Sequence, residues 1–265
     1  MSKPELKLVR NPSEIPAIRL EDFQAWFGES CVVNTATLDF PANKITCVVG
    51  PSGSGKSTLL RGINRINDDI VDYTMQGRIL IHDHCHQNGF KDITNLRSKV
   101  GMVFQRPCVF PCSIKDNVLF GVRDKSLSKL DRAALAEESL KSAALWKEVS
   151  HRLDSPAHTL SLGQQQRLCI ARTLAVKPEI LLLDEPTASV DPSSARALEA
   201  VIKDLKKDYT IIMVTHDIRQ TKRISDHVVF LCEGDVIETG SSAHMFSKSA
   251  KPKTKTYLSE EFCDC

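Results

Sequence analysis

The 265-residue sequence has no apolar run long enough to cross a membrane. Its longest uninterrupted apolar stretches, 180–183 and 211–214, fall far short of the roughly 18 residues that a spanning helix needs. Nor does it carry an excess of one charge, with 35 lysines and arginines against 33 aspartates and glutamates. That near balance argues against a partner gripped by charge alone, such as a nucleic-acid backbone. Residues 1–10 lack the apolar core of a secretory signal, so the expected location is the cytosol. Nine cysteines are scattered without a framework of spacings, and Cys47, Cys169 and Cys232 lie inside apolar runs, where cysteine behaves as a small hydrophobe. No disulfide is expected, which suits a reducing compartment. There is no internal repeat, no sustained heptad pattern, and no N-K-x-D element of the kind that reads guanine. What remains is ordinary for a soluble globular protein: 42% hydrophobic, 26% charged, and long enough for one large domain or two small ones.

Against that background one stretch stands out. Gly50-Pro51-Ser52-Gly53-Ser54-Gly55-Lys56-Ser57-Thr58 fits G-x-x-x-x-G-K-[ST], between a β-branched run at Ile45–Val49 and a helix start at Ser57. Strand, glycine-rich turn and helix N-terminus form a cradle for phosphate. Backbone N–H groups and the helix dipole favour anions, and Lys56 adds a charge for β- and γ-phosphates. Ser57 can place its hydroxyl on Mg²⁺. The alternative, a flexible loop that matches by chance, fails to account for nine residues in the right strand–turn–helix setting.

The order of elements suggests an α/β protein. Ile18, Leu20 and Phe23 mark one strand; Ala36, Leu38 and Phe40 alternate onto one face of another, which makes a small antiparallel sheet before the core. Further strands are expected at 77–81 and 99–104. Helices follow at 113–120, 129–144 and 164–175, with Leu130, Ala133, Ala134, Leu140, Ala144 and Leu145 as the apolar stripe of the second. After residue 178, strands at 180–183, 210–214, 227–232 and 235–238 alternate with helices at 193–207 and 217–223. That alternation predicts a mostly parallel sheet covered on both faces. The expected division is a loose arm over 1–16, a domain over 17–246 with a helical block inserted at about 106–177, and a tail over 247–265. The tail, with lysines at 248, 251, 253 and 255, reads as solvated.

In open α/β sheets ligands bind beyond the carboxyl ends of the strands. Gln105, Asp184, Glu185 and His216 all stand at such ends. Asp184 suits Mg²⁺, held directly or through water. Glu185, the next residue, can accept a proton from an attacking water, and Gln105 and His216 add neutral hydrogen-bonding groups. Leu160-Ser161-Leu162-Gly163-Gln164-Gln165-Gln166-Arg167 opens a helix with Ser161 as N-cap, a second anion site about 100 residues from the first loop. An ordinary capped helix needs neither the glycine nor three glutamines.

Five motifs in this order, namely the phosphate loop, Gln105, LSLGQ, LLLDEPTASVD and Thr215-His216-Asp217, resemble the ATPases of ABC transporters over residues 17–240. The stretches GMVFQRPCVFPCSIKDNV, SLKSAALWKEV and Asn64-Arg65-Ile66-Asn67-Asp68 are similar to the branch that serves bacterial phosphate-specific importers. The resemblance implies an ABC-type P-loop ATPase with a RecA-like core, using ATP and Mg²⁺. It implies a head-to-tail homodimer in which Ser161, Gly163 and Gln164 of one copy close over the Gly50–Thr58 loop of the other. Asp191 then crosses the interface, Phe27 stacks on adenine, Gln105 reaches Mg²⁺ and the membrane partner, and His216 is the switch histidine. Two integral-membrane permease subunits and an extracytoplasmic binding protein are the implied partners, at the cytoplasmic face of the cell membrane, with no nucleic acid. Leu162 departs from the usual LSGGQ glycine and predicts slowed hydrolysis; Cys108-Val109 stands where the phosphate branch tends to have Asn-Pro. Rival readings are the ATPase of another importer, such as one for polar amino acids, or a module that grips ATP without turnover. A DNA-repair ATPase of the same family would need a long coiled coil between phosphate loop and signature. His82-Asp83-His84-Cys85-His86 and Cys263-Asp264-Cys265 offer too few ligands from separate elements for a closed metal site.

Overall fold

A computed structural model describes residues 16–82, 84–85, 93–124, 126–248 and 250–259. The N-terminal sheet contains β1 (Pro16–Phe27) and β2 (Ser30–Pro41), joined by a tight turn at Gly28. Next come β3 (Ile45–Val49) and α1 (Lys56–Ile63), then β4 (Tyr73–Ile81), β5 (His84–Cys85), α2 (Ile93–Lys99) and β6 (Val100–Val103). The helical layer holds α3 (Ile114–Leu119), α4 (Lys129–Ser142), α5 (Trp146–Val149) and α6 (Leu162–Leu174). The chain then alternates through β7 (Ile180–Asp184), α7 (Pro192–Leu205), β8 (Thr210–Val214), α8 (Ile218–Ile224), β9 (His227–Cys232) and β10 (Asp235–Ser241). It closes with α9 (Ser242–Met245) and α10 (Pro252–Leu258). Among the described residues no helix is long and apolar enough to cross a membrane.

The described strands form two sheets. One is antiparallel, in the order β2-β1-β4-β5. The other runs β10-β9-β3-β8-β7-β6, parallel except for β10 at its edge. The central strands are almost wholly apolar because both of their faces are covered. Ile45, Cys47 and Val49 of β3 face the core shared with α3, α4, α6 and α7, together with Leu181, Leu183, Ile211 and Met213. Val48, Leu182, Ile212 and Val214 point the other way, into a second core with α1 and the antiparallel sheet. Ala36, Leu38 and Phe40 are fully buried there, as their alternation predicts.

Two sequence expectations need correction. Of the stripe expected for α4, Leu140 and Leu145 are buried, but Leu130 is 82% exposed, and Ala133, Ala134 and, just beyond the helix, Ala144 face solvent. The buried stripe is Ala136, Ser139, Leu140 and Ala143, at i, i+3, i+4 and i+7. Ser139 hides its hydroxyl by donating to the Leu135 carbonyl at 2.8 Å, so a polar residue can sit in that stripe. The lysine-rich segment expected to be solvated instead forms α10 and docks. Thr254 and Leu258 are buried, and the Tyr257 ring stacks on Phe230 at 4.7 Å. Thr254, Tyr257 and Leu258 make a narrow inward-facing seam that the surrounding lysines hide in a composition count. Residues 1–15 of the expected arm, Asp83 and His86 of the His82–His86 cluster, and the terminal cysteines lie outside the described residues; His82 meets Glu179 at 3.0 Å, and His84 and Cys85 form β5.

Candidate functional site

The loop between β3 and α1 follows a path that side chains would block. A Cβ on Gly50 would lie 1.8 Å from the Leu231 carbonyl oxygen, and one on Gly55 (φ +96°) would lie 2.5 Å from that of Val32. Glycine therefore lets the loop rest directly on β9 and β2. No side chain caps α1. Its first bond runs from the Leu59 N–H to the Gly55 carbonyl at 2.9 Å, so the amides ahead of Leu59 have no helical carbonyl to meet. They sit beside a concavity of about 240 Å³ lined by Val32, residues 52–58 and Glu185. Lys56 is 6% exposed and its ammonium donates to the carbonyls of Gly50 and Pro51 at 2.9 and 2.7 Å. Burial pulls its pKa below the usual lysine value, against the opposing pull of Glu185 and Asp184.

Asp184 ends β7 directly below this loop and is 1% exposed. One carboxylate oxygen accepts from the Ser57 hydroxyl at 2.8 Å; the other accepts from Arg61 Nη2 and Nε at 2.8 and 3.1 Å. Glu185, next in sequence, adopts a left-handed backbone (φ 45°), which is costly for a residue with a Cβ and is held by its N–H donating to the Val214 carbonyl at 3.0 Å. The turn separates two adjacent carboxylates. Asp184 stays with Ser57, while Glu185 reaches the residues after β6 and β8. Its Oε2 accepts from Gln105 Nε2 at 3.2 Å and meets His216 Nδ1 at 3.1 Å. The three strand ends thus converge on one carboxylate oxygen at the rim of the phosphate concavity.

Other expected residues stand apart. Ser161 caps α6 and forms a reciprocal box with Gln164, whose side-chain amide also donates to Glu148 at 2.8 Å. Gly163 lies against α7: a Cβ there would be 2.5 Å from Ser194 Oγ. Leu162 is 54% exposed at the start of α6. Asp191 caps α7 by accepting from the amides of Ser193 and Ser194, both at 3.0 Å; hydrogen bonding from Ser194 holds its carboxyl below the usual range. None of these residues lines the concavity. Phe27 does not line it either; its half-buried ring lies 5.3 Å from that of Tyr73 at the end of the β1–β2 hairpin.

Three contributors escaped the sequence reading. Arg61 lies one helical turn beyond Ser57, so i,i+4 spacing on α1 could have placed both on Asp184. Val32 contacts the loop through the backbone, which leaves no mark in sequence. Tyr257 of α10 reaches the Gly50 amide with its phenol oxygen, and burial pushes its pKa up to about 12.

The residues fit a triphosphate with a hard divalent cation. Ser54 Oγ is buried in the loop without a hydrogen-bond partner among the described residues, a Cβ on Gly53 would meet open space, and Ser57 and Asp184 offer neighbouring oxygen ligands of the kind Mg²⁺ takes.

The family model described as ABC transporter matches residues 33–188. The chain is 46% identical over 246 residues to the phosphate import ATP-binding protein PstB of Thermotoga maritima, covering 92% of this chain and 97% of that one. It is 44% identical to the protein of the same name from Salinibacter ruber, covering 93% and 99%. Among solved structures it is similar to cbiO1 of Clostridium perfringens, part of the ABC transporter complex cbiONQ, with a TM-score of 0.77, 29% identity, and 94% and 97% of the two chains covered. A dimeric post-hydrolysis ATP-binding cassette bound to ADP and Pi gives a TM-score of 0.72 at 28% identity, with 85% and 98% covered.

Proposed function

This chain belongs to the ABC transporter family and is an ATPase coupled to transport; we propose that it energises import of inorganic phosphate. The observation that carries the hydrolytic part is the meeting of Gln105 and His216 on Glu185 Oε2 at the mouth of the phosphate loop. The cargo reading is supported by relatives at 44–46% identity whose names specify phosphate import.

In this reading the amides of residues 53–58 and the Lys56 ammonium hold the β- and γ-phosphates of ATP, and Phe27 stacks on the adenine. Ser57, Asp184 and Gln105 are the residues that would hold Mg²⁺. Bound there, Mg²⁺ supplies positive charge against the phosphate oxygens. Glu185 orients the attacking water and takes its proton. The water oxygen bonds to the γ-phosphorus, the bond to the β–γ bridging oxygen breaks, and ADP leaves with that electron pair. His216 fixes the Glu185 carboxylate and faces the γ-phosphate. Ser161, Gly163 and Gln164 come from a second copy and close the site, with Asp191 crossing beside them. That arrangement gives residues outside the concavity a place in the chemistry. The helical layer passes closure to two membrane permease subunits at the cytoplasmic face, which receive phosphate from an extracytoplasmic binding protein.

The test is ATPase activity of the chain assembled with its membrane subunits and binding protein in lipid vesicles. Phosphate supplied on the binding-protein side should raise turnover several-fold, and a polar amino acid should not. Stimulation by the amino acid alone would overturn the cargo, and no turnover under any condition would overturn the ATPase.

A further inference from the structure

Behind the Glu185–His216 contact lies a buried cluster of polar side chains. Gln220 of α8 is 1% exposed, Thr215 is 3% and Glu199 of α7 is 8%. An amide hidden this deeply must satisfy both of its ends, or forfeit its hydration for nothing. Gln220 does so with three different segments. Its Oε1 accepts from the Thr215 hydroxyl at 3.0 Å, and its Nε2 donates to Thr187 Oγ1 at 3.0 Å and to Glu199 Oε1 at 3.2 Å. Its own backbone N–H donates to Asp217 Oδ1 at 2.8 Å, which pins the first turn of α8. Arg223, one turn on, clasps Glu199 with two bonds of 2.6 and 3.1 Å. Burial pushes the Glu199 carboxyl up, but the bonds from Arg223 and Gln220 outweigh it and hold it below the usual range.

The positions of those partners matter more than their number. Thr187 follows Glu185 by two residues and Thr215 immediately precedes His216. Glu199 lies about two turns along the helix that Asp191 caps. A single side-chain amide therefore spans the two segments whose functional groups meet at 3.1 Å, and anchors both to the helix that bears Asp191. Packing alone does not require this: an apolar residue would fill the space, but it could not accept from Thr215 while donating to Thr187 and Glu199.

We propose that Gln220 is a positioning residue, which sets the spacing of Glu185 and His216 through Thr187 and Thr215 and ties that pair to the Asp191 helix through Glu199. The inference rests on the ATPase reading and deepens it. It touches no substrate, so its loss acts on turnover and leaves nucleotide binding in place. Gln220→Glu is the informative isostere. Above neutral pH the introduced carboxylate faces Glu199 and can no longer donate. Once protonated, the introduced carboxyl recovers the donor that the amide supplied. Arg223, Lys203 and Asp217 also face this cluster, with Glu185 and His216 beyond the two threonines, so the comparison is always with wild type at the same pH.

The experiment measures single-turnover ATP hydrolysis and fluorescent-nucleotide affinity for the full-length chain and its variants. Gln220→Met should slow hydrolysis at least tenfold and change nucleotide affinity less than threefold. In a His216→Ala background the same substitution should cost less than threefold, because the Glu185–His216 spacing that Gln220 sets no longer exists. Gln220→Glu should regain rate relative to wild type as pH falls from 8 to 6. Undiminished hydrolysis in Gln220→Met, an equal loss in both backgrounds, or a flat pH ratio for Gln220→Glu would overturn the assignment. Those failures leave wild-type turnover intact, whereas a wild-type chain without turnover fails the ATPase reading and this inference with it.

Discussion

Arg61→Met takes the guanidinium away from a carboxylate whose side chain is 2% exposed. In the nucleotide-free chain Asp184 is held on one oxygen by Ser57 and on the other by Arg61 through two nitrogens. Removing one partner of a fully buried pair costs about 3–5 kcal/mol, because the remaining charge loses both water and counter-ion. Arg61 is 37% exposed, so water reaches its side of the pair and part of the loss is refilled. We therefore expect a cost of about 2 kcal/mol. Urea unfolding of the chain without nucleotide reads this directly: at a slope of about 2.5 kcal/mol per molar, the midpoint falls by about 0.8 M. The decisive control is Arg61→Met combined with Asp184→Asn. The asparagine carbonyl still accepts from Ser57 and carries no charge, so the double variant should regain more than half of the lost stability. A midpoint within about 0.2 M of wild type for the single variant, or a double variant no more stable than the single, would refute the argument that Arg61 neutralises Asp184.

His227, at the start of β9, has its pKa lowered to about 4 by burial. A histidine depressed from about 6.5 in the unfolded chain favours folding fully above pH 6.5 and loses that contribution as pH falls towards 4. Between pH 7 and 5 wild type should lose about 2 kcal/mol more than His227→Gln, read from denaturation midpoints at the two pH values; parallel losses would contradict the assignment. Gly163→Ala should destabilise the chain by about 1–3 kcal/mol through the contact with Ser194, and Ser194→Gly should relieve most of it; unfolding curves of the three variants decide, and additive losses would count against the contact. Leu162→Gly should raise steady-state ATPase of the assembled complex, since it removes an exposed side chain from the face proposed to meet the second copy; unchanged turnover would leave that leucine without a role in tuning.

The phosphate loop, Asp184, Glu185, Gln105 and His216 were legible because each follows an apolar strand, and strands of a covered parallel sheet announce themselves as uninterrupted apolar runs. The same rule marked the alternating strands of the core. It failed where side-chain choice depends on tertiary neighbours. Ala133 and Ala134 are as apolar as Ala136 and Ala143, and only the packing of α4 on α6 decides which are buried. Gln220 reads in sequence as one more polar residue of a short helix; its burial becomes visible once Thr187 and Glu199 surround it. The docking of α10 was obscured by lysines, although Thr254, Tyr257 and Leu258 stand at i, i+3 and i+4.

In the proposed function the Gly50–Thr58 loop forms half of a catalytic site, closed by Ser161–Gln164 of a second copy. Mixing two inactive variants tests it. Lys56→Ala disables the loop and keeps the α6 start; Ser161→Arg does the reverse. A mixed dimer contains one site with both halves intact, so single-turnover ATP hydrolysis should be near zero for each variant alone and should appear when they are combined. A mixture no more active than the sum of its parts, with both variants folded, would contradict the shared site.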